Sequence, residues 1–356
     1  MQALSPNQRG RPRQPVAPLS SSQLATCLAR LDGHWPRLRL QHNLVQPSLL
    51  TYLTDVCAQG PWALGLSAAH HRVPFVVQGL GMRWAGVGFK LPAVRRTVQL
   101  LQALRPNGTI VFADGSDAAV ANAVPRRRPT DQHTIILSAE CGSFPICYKQ
   151  RYMQHKAYQA CRNRSRTCYP NSGMYMGQPE ALLDVLPALQ SLAANGDGVE
   201  HMEDQSAANR LYYSQASASV EVDGDSQLFL SLYRCKGPSL RKFDRFTLCH
   251  DGHHDPLRYV HRHRGGRALS YNYSGKSTRP FIVHANGLHQ RLSWAYFGSG
   301  APQERAPRNW TELYLPSRAA VEASRSHPVL LVDSAAHGLC HLSTLGELMA
   351  SRNCGL

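Results

Sequence analysis

From about residue 46 onward, hydrophobic and polar positions follow two alternating periods. Short apolar runs bounded by turn residues predict strands over residues 49–53, 75–78, 109–113, 134–137, 228–232 and 281–283. Between them, helical spacing predicts a helix over residues 62–71, ended by Arg72 and Pro74. A second covers residues 91–104, where Val94, Val98, Leu101 and Leu104 share one stripe, and a third covers 180–194. Strands alternating with helices predict an α/β fold with a mixed, mostly parallel central sheet and flanking helices.

Two flanks break the pattern. Residues 1–44 read as an N-terminal extension. Its first 22 residues, rich in Pro, Arg, Gln and Ser, are expected to be disordered or to serve in targeting, and a short helix is expected around residues 24–31. Residues 45–300 form the main domain. Residues 301–356 read as a C-terminal extension with short apolar runs such as 329–332. The His- and Arg-rich stretch 250–267 reads as an exposed loop.

Charge narrows the partners. With 39 Lys+Arg against 23 Asp+Glu, the net charge of +16 favours anionic partners such as phosphorylated substrates. No helix-turn-helix, RRM or zinc-finger pattern is present, so no nucleic acid is expected as a partner. No run of about 20 apolar residues occurs, so no membrane span is expected.

The ten cysteines include locally spaced pairs, Cys141/Cys147 and Cys161/Cys168, without the doubled C-x-x-C of a structural zinc site. Disulfides, and with them an oxidising compartment, are the expectation. The sequons at Asn107, Asn163, Asn272 and Asn309 agree, pointing to the lumen of the secretory pathway (endoplasmic reticulum or Golgi) or to secretion. Residues 1–31 depart from this. They hold Arg9, Arg11, Arg13 and Arg30, no acidic residue and no signal-peptide core, the composition of an organelle-targeting segment or of a truncated start.

Candidate chemistry gathers at predicted strand ends. The strand through Phe112 and Ala113 runs into Asp114-Gly115-Ser116-Asp117, two carboxylates three residues apart where open α/β sheets bind ligands. Paired hard oxygens suit Mn²⁺ or Mg²⁺, and such ions suit a diphosphate. The same residue types also make turns and helix N-caps. Phe281-Ile282-Val283 similarly ends in His284-Ala285-Asn286-Gly287, an imidazole followed by residues that let a phosphate approach. Asn171-Ser172-Gly173 offers small polar groups for a sugar pocket or simply a turn. Glu203-Asp204-Gln205 offers carboxylates suited to a helix N-terminus or to a sugar hydroxyl.

Taken in order, residues 51–54, 79–84, 112–117, 138–140, 171–173, 204–205 and 283–287 resemble the glycosyltransferase domain of the procollagen lysyl hydroxylases and the related collagen glycosyltransferases, over roughly residues 49–297. The resemblance implies a GT-A-type, Rossmann-like nucleotide-diphospho-sugar transferase. Asp114, Asp117 and His284 match its manganese ligands. Thr54 matches a nucleotide contact, Trp84 and Lys90 the glycine-rich loop over the donor, and Asn286 a donor-site residue. Asn171, Gln205, Gly287 and Arg291 fall among the expected donor contacts. Asp204, with Glu203, falls on the acidic run facing the transferred sugar and is the expected catalytic carboxylate.

The activity implied is transfer of a hexose from UDP-glucose or UDP-galactose to a hydroxylated acceptor, a hydroxylysine-type peptide or a glycan. The chain departs from the pattern at Ser116, where the family has an aromatic residue, and at Phe144, where it has tryptophan. The acidic run is shortened to Glu203-Asp204, and the basic residue after the metal histidine is displaced to Arg291. These departures leave a second expectation, a GT-A fold that has lost catalysis and acts as a binding or scaffold protein.

Overall fold

The computed structural model describes residues 18–32, 47–54, 63–82, 90–115, 117–123, 125, 127–129, 131–140, 169–194, 203–214, 219–232, 260–262, 269–273, 276–284, 322, 325–334 and 338–350. The elements that carry the central sheet and its helices are α1 (Ser21–Asp32), β1 (Ser48–Tyr52), α2 (Ala63–His70), β2 (Phe75–Gln78), α3 (Lys90–Leu104) and β3 (Ile110–Ala113). They continue through β4 (Ala118–Val120), β5 (Ile135–Glu140), β6 (Tyr169–Gly177), α4 (Pro179–Ala194), α5 (Glu203–Tyr213) and β7 (Val220–Asp223). The remainder are β8 (Phe229–Ser231), β9 (Val260–Arg262), β10 (Leu269–Tyr273), β11 (Lys276–Thr278), β12 (Ile282–His284), β13 (Pro328–Ser334), β14 (Gly338–Thr344) and α6 (Leu345–Ala350).

The eight-stranded sheet has the order β14-β13-β2-β1-β3-β6-β5-β7. The pairings β13–β2, β2–β1, β1–β3 and β5–β7 are parallel, while β14–β13, β3–β6 and β6–β5 are antiparallel. This is the mixed, mostly parallel sheet that the alternation of periods predicts. Both of its faces are covered, so its strands are apolar on both sides and the period of two sorts them. Val76, Phe112, Tyr175, Leu330 and Val332 face a cluster with α1, α3, α4 and α5. Phe75, Val77, Val111, Met174 and Leu331 face α2, α6, β4 and the strand ends near Phe229 and Ile282.

Two strands depart from the sequence expectation. Asn171-Ser172-Gly173 reads as sugar-pocket lining or a turn, since Asn, Ser and Gly are poor strand formers, yet with Tyr169 and Pro170 it opens β6. Side-chain bonds hold them there: Ser138 Oγ donates to the Asn171 carbonyl at 3.0 Å, and the β5–β6 register shifts between Leu137 and Ser138. The run at 329–332 lies not apart from the sheet but inside it, as β13 against β2. A smaller departure falls in the stretch read as an exposed loop, where β9 pairs with β10.

One disulfide is present among the described residues. It joins Cys27 of α1 to Cys340 of β14, with the Cα atoms 5.5 Å apart across 313 residues of sequence. The local pairs expected at Cys141/Cys147 and Cys161/Cys168 lie outside the described residues.

Candidate metal centre

Strand β3 ends at Ala113, and its ladder with β6 continues one bond further: the Asp114 N–H donates to the Gly173 carbonyl at 2.9 Å. The chain then turns against β1. A Cβ on Gly115 would lie 2.9 Å from Thr51 Oγ1, so glycine lets this turn close. Thr51 Oγ1 also donates to the Ala113 carbonyl at 2.7 Å, fixing the end of β3.

Past this turn comes β4, which pairs antiparallel with β12 in a small sheet of order β4-β12-β8. In that register His284 stands opposite Ala118, next to Asp117. Two segments 167 residues apart are thus brought to one point by a three-residue ladder. Asp114, Asp117 and His284 each offer a ligand atom, and these atoms all lie within 4.8 Å of one another.

The chemistry of this trio fits a divalent cation. His284 Nε2 is 3.1 Å from Asp117 Oδ1 and 3.8 Å from Asp114 Oδ2. Yet among the described residues neither buried imidazole nitrogen has a properly directed hydrogen bond, a costly state for polar atoms unless a further partner binds them. Gly173 keeps the space clear: a Cβ there would meet His284 Cε1 at 2.3 Å and Asp114 Oδ2 at 2.9 Å. Two carboxylates and one imidazole suit Mn²⁺ better than Mg²⁺, which favours oxygen alone.

Charge is dense here. Burial pushes the Asp114 carboxyl up from its ordinary pKa, and Lys90 and His284 only partly oppose that. Burial lowers the His284 imidazole, but the carboxylates of Asp117, Asp114 and Glu140 outweigh it and the net shift is upward. Lys90, the first residue of α3, is buried; desolvation works against its charge, and Asp114 and Asp204 reverse the balance and hold its pKa above the usual lysine value. Its Nζ lies 2.9 Å from Asp114 Oδ1 and 2.6 Å from Asp204 Oδ2. Asp114 therefore divides its oxygens, Oδ1 toward Lys90 and Oδ2 toward His284.

A second layer ties β5, β6 and α5 together beside the trio. Asp204 Oδ2 accepts from Ser172 Oγ at 3.1 Å. Gln205 Oε1 accepts from Ser172 N–H at 2.7 Å and from Ser172 Oγ at 3.0 Å, while Nε2 donates to the Pro170 carbonyl at 2.6 Å and Glu140 Oε1 at 3.4 Å. Asn171 Nδ2 donates to Glu140 Oε2 at 3.0 Å, and its Oδ1 accepts from Gly173 N–H at 2.9 Å. The amides of Asn171 and Gln205 are thus committed to holding the wall of the site.

Of the sequence-derived candidates, Asp114, Asp117, His284, Lys90, Asp204, Asn171 and Gln205 are gathered in one place. Thr54 follows β1, where its carbonyl accepts from Gly81 N–H at 2.8 Å. That bond ties it to a turn whose Gly79 and Gly81 have positive φ, 80° and 76°. Glu203 is the first residue of α5. Trp84, Asn286, Gly287 and Arg291 lie outside the described residues. The sequence offers Ser172 and Gly173 for a sugar pocket or a turn, and Glu140 only as the end of the 138–140 block; the bonds of Ser172 to Asp204 and Gln205, the space kept by Gly173 and the hold of Glu140 on Asn171 and Gln205 come from the structure.

No protein-family model matches the sequence, and no curated protein matches it. Among solved structures, the chain is similar to a glycosyltransferase involved in the glycosylation of the major capsid of PBCV-1. The identity is 12%, the TM-score 0.35, and the match covers 52% of this chain and 86% of that one. It is also similar to the bifunctional glycosyltransferase WbbM in its apo form, with 12% identity, a TM-score of 0.36, and coverage of 68% of this chain and 46% of that one. Both likenesses are remote, so the functional reading rests on the side chains above.

Proposed function

We propose that this chain is a divalent-metal-dependent glycosyltransferase of the GT-A type, moving a hexose from UDP-glucose or UDP-galactose to a hydroxylated acceptor such as a hydroxylysine-type peptide or a glycan. One observation carries the reading: Asp114, Asp117 and His284 converge within 4.8 Å at the carboxyl end of β3. The ordered resemblance to the glycosyltransferase domain of the procollagen lysyl hydroxylases supports the same reading.

In this reading Asp114, Asp117 and His284 hold Mn²⁺ or Mg²⁺, which supplies Lewis-acid charge for a diphosphate leaving group. Lys90 adds a fixed ammonium at the same place, in a low-dielectric setting where charge counts for more. Asp204 receives Lys90 Nζ and Ser172 Oγ on one oxygen, which fixes its side chain beside the trio. Beside the anomeric carbon it serves as base for the acceptor hydroxyl in an inverting route, or as the charge that stabilises the oxocarbenium-like state in a retaining one. Transfer breaks the bond between the anomeric carbon and the diphosphate oxygen. The acceptor oxygen bonds that carbon, and its proton passes to the Asp204 carboxylate in the inverting route or to the departing diphosphate in the retaining one.

The test is release of UDP from each UDP-hexose, with and without a hydroxylysine-bearing peptide, in Mn²⁺ or in EDTA. Turnover that needs Mn²⁺ and is abolished in Asp114→Ala is expected. Equal UDP release in EDTA and in Asp114→Ala would overturn the proposal. Metal-dependent UDP binding without turnover would reassign the chain to a binding or scaffold role.

A further inference from the structure

Asn107-Gly108-Thr109 is one of the sequons of the chain, and the site described above makes no use of it. It lies in the connection between α3 and β3. Pro106 and Asn107 form the turn and both are exposed, whereas Gly108 is buried beneath them. The turn is held from below. Gly108 N–H donates to the Arg105 carbonyl at 2.9 Å, and a Cβ on Gly108 would meet Arg105 Cβ at 3.1 Å. Arg105 in turn donates to Ser48 Oγ at 3.3 Å, and Ser48 N–H donates to the Thr109 carbonyl at 2.8 Å. A rigid base therefore presents the Asn107 side chain outward.

Two further observations bear on this residue. Asn107 precedes β3 and Asp114 follows it, so the two sit at opposite ends of the strand, roughly 20 Å apart at the usual ~3.3 Å rise per residue. A bulky group on Asn107 leaves the candidate metal centre open. Separately, the Cys27–Cys340 bridge is a bond that persists in oxidising compartments, where asparagine-linked glycans are also added. The other described sequon asparagine, Asn272, is less well disposed. It lies on the middle strand of the β11-β10-β9 sheet, and its Oδ1 accepts from Ser277 Oγ at 2.5 Å.

We propose that Asn107 is a glycan acceptor and that the chain carries an asparagine-linked oligosaccharide there. The donor is a lipid-diphosphate-linked oligosaccharide used by a lumenal oligosaccharyltransferase. Asn107 Nδ2 bonds the anomeric carbon of that donor, the carbon–oxygen bond to the diphosphate breaks, the lipid diphosphate leaves, and the amide nitrogen loses one proton. The proposal is independent of the sugar-transfer reading, since it treats the chain as substrate.

The experiment expresses the full chain behind a cleavable secretion signal in mammalian cells and analyses both the secreted and the cell-retained pools. Enzymatic glycan release in heavy-oxygen water is expected to leave Asn107 as a labelled aspartate in most molecules. Asn107→Gln is expected to remove that label, shift the electrophoretic mobility by one glycan, and leave the thermal midpoint of the deglycosylated protein unchanged. Recovery of Asn107 as unmodified asparagine in both pools would overturn the proposal, whatever the chain does to UDP-sugars.

Discussion

The ammonium of Lys90 sits 2.6 Å from the Asp204 carboxylate, and it also reaches Asp114 at 2.9 Å. One buried cation therefore links a candidate metal ligand to the first turn of α5. Lys90 also lies over the Phe112 ring, 5.4 Å from its centroid, and Phe112 stacks on Tyr175.

Breaking a buried ion pair by removing one partner costs about 3–5 kcal/mol, because the remaining charge stays desolvated. Lys90→Met is therefore expected to lower the thermal midpoint strongly. Adding Asp204→Asn to Lys90→Met is expected to recover part of the loss, since one unpaired carboxylate disappears. Calorimetry of the two single variants and the double variant measures the coupling. Strictly additive losses would contradict the linkage.

Gly173→Ala tests the space left for the cation. Its Cβ would meet His284 and Asp114, the closer contact at 2.3 Å from His284 Cε1. Wild-type protein at an Mn²⁺ concentration 100 times the Kd is expected to gain about 2.7 kcal/mol of stability. Gly173→Ala is expected to lose most of that gain, read as the Mn²⁺-induced shift in thermal midpoint. An unaltered shift would place the ion elsewhere.

The Cys27–Cys340 bridge spans 313 residues. Removing a disulfide of this kind commonly costs about 2–5 kcal/mol. Cys340→Ser should lower the urea midpoint, and a reducing agent should lower that of the wild type but not of the variant. Equal sensitivity of both to reduction would show that another thiol pair dominates.

A pH effect follows from His71. Burial, aided by the neighbouring His70, depresses its pKa to about 4. In the unfolded chain the group titrates near its ordinary ~6.5. Above that value both states are neutral and stability is unaffected. Below it the unfolded state takes up a proton that the native state refuses, so stability falls by up to about 1.4 kcal/mol per pH unit until pH reaches about 4. His71→Gln is expected to flatten the thermal midpoint over that window relative to wild type. Parallel profiles for the two proteins would refute the assignment.

Much of this was legible in the sequence. β1, β2, β3 and β12 are short apolar runs with polar residues just beyond them, and α3 carries an unbroken helical stripe. Asp114, Asp117 and His284 could be found because each follows such a run. β6 was hidden because Pro170, Asn171, Ser172 and Gly173 are held by side-chain bonds from Ser138, Glu140 and Gln205, partners up to 35 residues away. β13 was hidden because nothing local says that Val329–Val332 will pair with Phe75–Gln78, a contact that only the finished sheet supplies. The Lys90 bridge was invisible for the same reason, since it depends on where α3 and α5 end up relative to β3.

The disulfide also bears on how the polypeptide is wired. The first helix and the last hairpin of the described fold meet at Cα atoms 5.5 Å apart. The covalent path between them closes on itself like a ring, so the place where the backbone is cut is not dictated by the architecture. A circular permutant joining the α1 region to the β14–α6 region through a short linker, and opened at an exposed turn, should retain the sheet and the trio of candidate ligands.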